Sequence, residues 1–90
     1  MHEHSLMRRL VRQCLQLAAE ERAHRVTRVT IRLGALSHSD PDTLRAYFAR
    51  EAQGTIADGA ELNVVVTDEL LELTLATIEV EREEEDGIAG

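Results

Sequence analysis

The sequence predicts an α+β fold: a small mixed three-stranded sheet with two helices on one face, in the order helix-strand-helix-strand-strand. Three observations predict it. Apolar residues recur at helical spacing in two segments, they alternate in three others, and Asp40-Pro41 and Gly54 bracket the second helix. A chain of 90 residues has room for one such core and no more.

Helix 1 is expected over about residues 5–23. Leu6, Leu10, Cys14 and Leu17-Ala18 form its apolar side, Ser5 can cap its first turn, and Arg8, Arg9 and Arg12 fall largely on the other side. Val26 to Leu33 alternates, with Val29, Ile31 and Leu33 on one face and Arg28, Thr30 and Arg32 on the other, the period of a half-buried strand ended by Gly34. Ser39-Asp40-Pro41 starts helix 2: Asp40 can accept from free first-turn N–H groups, and Pro41 suits a position where no donor is needed. Its apolar stripe is Leu44, Tyr47, Phe48 and Ala52, and Gly54 can stop it in a left-handed conformation. Ala57-Asp58-Gly59 reads as a turn before the next strand, and Leu62, Val64 and Val66 make strand 2. Asp68-Glu69 is expected to turn the chain into a third strand that returns as a hairpin. There Leu71, Leu73 and Leu75 alternate before the phase slips to Ile78 and Val80, which predicts a bulge near Ala76-Thr77. Residues 1–81 thus read as the folded domain. Residues 82–90, with Glu83, Glu84, Glu85 and Asp86 and no periodicity, read as an acidic disordered tail.

Charge is unevenly placed. The net charge is −7, yet residues 1–34 hold seven Arg against three Glu. No nucleic-acid partner is expected: an acidic tail would compete for the basic face, and Tyr47 and Phe48 are the only aromatics available for stacking. No stretch approaches the roughly 20 apolar residues of a membrane span, so no membrane association is expected. With Cys14 as sole cysteine, no intrachain disulfide can form, and a cytoplasmic setting is the expectation. No Ser/His/Asp arrangement or phosphate-cradling glycine loop is evident, so no enzyme is expected.

His2 carries the most chemical information. Directly after a free terminus it can chelate a metal through the α-amine of Met1, its own backbone nitrogen and its imidazole. The ions able to displace an amide proton near neutral pH favour tetragonal nitrogen coordination, chiefly Ni(II) and Cu(II). A second residue as large as His should hinder removal of Met1, leaving it to supply the amine. In an extended segment His4 would point to the same side as His2, about 7 Å along. His24, near the end of helix 1, and His38, in a polar loop, read as structural, and Cys14 as a small core residue.

Four short segments, in order, resemble one family. Met1-His2-Glu3-His4-Ser5-Leu6, Ile31-Arg32-Leu33-Gly34-Ala35-Leu36-Ser37, Gly54 to Leu62, and Thr77-Ile78-Glu79-Val80-Glu81 are similar to stretches of HypA nickel-incorporation proteins. The resemblance implies Ni(II) capture at Met1, His2 and Glu3, delivery to the large subunit of nickel-iron hydrogenase, and cooperation with a HypB-like GTPase. A homodimer is a possible assembly. Two departures stand out. The family's zinc domain, a pair of Cys-x-x-Cys motifs between strands 2 and 3, has no counterpart here, so no structural zinc is expected. His4 stands where the family usually has an apolar residue, and is either an extra ligand or a neutral replacement. Two other readings fit the sequence: a metal-free adaptor on the same scaffold, and an assembly subunit recognising partners through Arg8, Arg9, Arg12, Arg28 and Arg32 and the acidic tail.

Overall fold

The computed structural model describes residues 3–35, 39–68 and 73–82. Residues 83–90 of the expected tail lie outside them. The elements follow the predicted order: α1 (Glu3–Glu20), β1 (Ala23–Gly34), α2 (Pro41–Ala52), β2 (Glu61–Thr67) and β3 (Leu73–Arg82).

Helix α1 starts two residues earlier than predicted and ends three earlier, so Ser5 lies inside the helix and does not cap it. Its end is set by a tightened last turn. The N–H of Glu21 is shared between the carbonyls of Leu17 and Ala18, and Arg22 adopts a left-handed φ of 60° before β1 begins. The buried side of α1 is Met7, Leu10, Val11, Cys14 and Ala18. This is a correction to the expected stripe: Leu6 is half-buried and Leu17 is exposed, because the helix must face both β1 and α2.

Helix α2 is capped as expected: Asp40 accepts from the N–H of Thr43 at 3.0 Å, and Pro41 opens the helix. Leu44, Phe48 and Ala52 are buried, with Tyr47 half-buried beside them. Gly54 follows the helix at φ 78°, where its N–H donates to the Asp58 carboxylate at 3.0 Å.

The strand order is β2-β1-β3, with β2 parallel and β3 antiparallel to β1. The expected β2–β3 hairpin is therefore overturned: β2 and β3 flank β1 on opposite sides and do not pair with each other, while the expected turn at Asp68-Glu69 and Leu71 fall at or outside the edge of the described residues. The physical reason is length, since β1 offers 12 residues for the 10 of β3 to pair with, whereas β2 offers 7. The bulge is where the phase slip put it. Thr30 pairs with Thr77 and Ile31 with Leu75, leaving Ala76 as the extra residue. Val29, Ile31 and Leu33 point into the core, under the two helices.

Both helices run the same way, since His4 meets Tyr47 and, one turn later, Arg8 meets Glu51. Each is antiparallel to β1, so one end of the molecule gathers the start of α1, the start of α2, the C-terminal ends of β1 and β2, and the start of β3. The opposite sheet face carries Arg28, whose guanidinium lies 3.3 Å from Glu61 on β2 and 3.8 Å from Glu79 on β3.

Candidate metal centre

Of the residues singled out for metal binding, Glu3 and His4 lie at the start of α1. Met1 and His2 are outside the described residues, as is His38. Glu3 is the first residue of the helix. A helix start leaves its first N–H groups without intrahelical acceptors, so a metal taking a backbone nitrogen here breaks no helical hydrogen bond. The helix dipole also favours negative charge at this end, which eases deprotonation of an amide and opposes a bare cation.

His4 sits in the first turn, so the extended spacing expected between His2 and His4 does not apply from Glu3 onward. The His4 ring packs against Tyr47 of α2, with centroids 4.6 Å apart and planes tilted by 55°. Its Nε2 is buried without a hydrogen-bond partner. Tyr47 is the neighbour that sequence reasoning missed; the available signal was its place at the edge of the apolar stripe of α2, next to a helix start.

The other candidates are elsewhere. His24 lies at the start of β1 with Nε2 3.8 Å from Glu81, roughly 30 Å of strand from the C-terminal end of β1. Cys14 is fully buried, and burial pushes its thiol above the ordinary 9.0, opposite to what a nucleophile or thiolate ligand needs. Among the described residues, no group of three or more His, Cys, Asp or Glu side chains converges on one point. No helix there is long and apolar enough to cross a membrane.

Comparison with known proteins bears on the fold and the family. Residues 1–84 match the family described as "Hydrogenase/urease nickel incorporation, metallochaperone, hypA". The hydrogenase maturation factor HypA of Archaeoglobus fulgidus is 39% identical over 66 residues, covering 73% of this chain and 60% of that protein. The protein of the same name from Shewanella baltica is 36% identical over 66 residues, covering 73% of this chain and 56% of its own length. This chain thus spans less than two thirds of the length of these relatives. The solution structure of the Ni metallochaperone HypA from Helicobacter pylori matches with a TM-score of 0.75 and 18% identity, covering 92% of this chain and 100% of that one, a likeness of fold. With its start, its strand order and nearly its whole length accounted for in this way, the chain belongs to the HypA family.

Proposed function

We propose that this chain is a nickel carrier: it takes one Ni(II) ion at its N-terminus and passes it on by ligand exchange during maturation of a nickel enzyme. The ligands are the α-amine of Met1, the backbone nitrogen and imidazole of His2, and the Glu3 segment, with His4 adjoining. The observation that carries the reading is the sequence Met1-His2-Glu3, whose Glu3 opens α1, in a chain of this family. Three nitrogens from two residues suit a tetragonal d-block ion and leave a position open for the receiver. If His4 joins the set it does so through Nδ1, since Nε2 is buried.

The proposed receiver is the large subunit of nickel-iron hydrogenase, working with a HypB-like GTPase in the cytoplasm, and the protein acts without catalysing a reaction. Residues 1–81 form the nickel domain in this proposal, and residues 82–90 an acidic tail. No structural zinc is required, because the single cysteine, Cys14, is already part of the core.

Titrating Ni(II) into tag-free protein, with retention of Met1 checked by mass spectrometry, tests the reading. His2→Ala and a form with one extra residue before Met1 should each lose most of the affinity, since each removes part of one chelate. Affinity should rise between about pH 6 and 8 as the amine sheds its proton. Equal binding by all three forms sinks the carrier. Unchanged partner docking by a form without nickel affinity supports the metal-free adaptor instead.

A further inference from the structure

Strand β3 is an outermost strand, and among the described residues nothing pairs with its outer edge. Which backbone groups that edge presents follows from the ladder. The N–H of Ala35 donates to Thr67 on β2, so by strand alternation Leu33 and Ile31 also turn toward β2, while Arg32 and Thr30 turn toward β3. Their partners, Thr74 and Thr77, are then the residues bonded to β1, and Leu73 and Leu75 aim their N–H and C=O groups outward.

Above this edge lies an open groove of about 530 Å³ between α1 and β3. Its apolar floor is Leu6 and Leu10 of α1 with Leu73 and Leu75 of β3, and its outer wall carries Arg9 and Arg12. Arg8, on the α2 side of the same helix, has Glu51 at 3.8 Å, whereas Arg9 and Arg12 have no acidic partner among the described residues.

We infer that this groove docks an extended segment of a partner protein, bearing apolar and acidic side chains on one face, which joins the sheet as a fourth strand. Unpaired edge groups give such a segment its backbone bonds, and pockets for alternate side chains give it specificity. Leu6, Leu10 and Leu75 receive the apolar side chains; Arg9 and Arg12 receive the carboxylates. A second copy is a poor occupant. Pairing β3 with itself would set two α1 helices about 10 Å apart, bringing Arg9 and Arg12 of both copies together with no carboxylate in the lining.

The groove opens at Leu6, about 5 Å of helix rise from Glu3, so a docked segment lies beside the metal end. Its part in nickel transfer rests on the carrier reading; the docking itself does not.

A fluorescent octapeptide, threonine-leucine-threonine-glutamate twice over, presents leucine and glutamate on one face and tests the assignment. Wild-type protein should bind it saturably, less tightly as salt rises. Arg9→Glu/Arg12→Glu should weaken binding at least about tenfold, the equivalent of 1.4 kcal/mol, and so should replacing the peptide's glutamates with lysine. The peptide should slow exchange of the Leu73 and Leu75 amide protons. Should the double variant misfold by circular dichroism, the lysine peptide and the exchange data still decide. Indifference to the peptide's charge, protection on β2 instead, or no binding by wild type overturns the docking site. Nickel titration separates the two readings: Arg9→Glu/Arg12→Glu should keep nickel affinity, and His2→Ala should keep the peptide. A wild-type protein that binds peptide and ignores nickel removes the carrier and leaves the groove.

Discussion

His4 lies against Tyr47 with ring centroids 4.6 Å apart, and this contact ties the first turn of α1 to α2. The Nε2 of the same ring is buried without a partner, a cost of about 1 to 3 kcal/mol that the packing must outweigh. His4→Phe keeps a ring on Tyr47 and removes the orphaned nitrogen. It should raise stability by about 1 kcal/mol, read as a higher urea midpoint with an unchanged slope. The same variant bears on the metal: a nickel affinity within about tenfold of wild type leaves His4 to packing, and a loss as deep as that of His2→Ala makes it a ligand.

Arg28 stands between Glu61 and Glu79, one on each neighbouring strand, so a single guanidinium spans all three strands on the uncovered face. All three groups are solvent-exposed, and removing the cation by Arg28→Ala should cost no more than about 1 kcal/mol. Arg28→Glu is different, because it sets three carboxylates abreast, like charges opposite one another on adjacent strands. It should destabilise more than Arg28→Ala, with the gap between the two closing in high salt. Thermal unfolding of both variants at low and high ionic strength reads this directly.

What the sequence made legible was local. Asp40-Pro41 and Gly54 announce the ends of α2 because capping depends on residues a few positions apart, and the slip from Leu75 to Ile78 announces the bulge because strand period is a nearest-neighbour property. The partner of β3 was not legible: Leu73 and Leu75 alternate equally well beside β1 or β2, and only the greater length of β1 decides. Nor was the rotation of α1, where Leu6, Met7, Leu10, Val11, Cys14 and Leu17 spread apolar surface round more than half the helix. The position of α2 selects Met7 and Val11 for the core and turns Leu6 toward the groove. For the site, His2 was read from chemistry that needs no fold, whereas the engagement of His4 with Tyr47 depends on two helices running parallel.

Arg22 closes α1 at φ 60°, a left-handed conformation that costs a residue with a Cβ about 1 kcal/mol or more. Its side chain is exposed. Arg22→Gly removes the steric cost while adding freedom to the unfolded chain, and the two effects partly offset. The net should be stabilising by up to about 1 kcal/mol, a rise of several degrees in Tm for a domain of this size. Arg22→Val, branched at Cβ, should lower Tm. Both are read by thermal unfolding monitored in the far ultraviolet.

Cys14 gives the fold a pH dependence whose sign can be worked out. Burial pushes its thiol above the ordinary 9.0, so the folded chain holds this proton more tightly than the unfolded chain does. The stability it contributes is complete below pH 9.0, where both states are protonated, and is lost as pH rises toward the higher folded value. The sequence contains no lysine, so no ammonium side chain competes with the thiol in that range. Wild-type unfolding free energy should therefore decline between about pH 8.5 and 10, and Cys14→Ala, although less stable at pH 7, should decline less steeply. Parallel declines would mean that the thiol ionises as freely inside the core as outside it. A disulfide exchange reagent offers an independent check: Cys14 should react slowly in the native protein and at the rate of a free thiol once urea has exposed it.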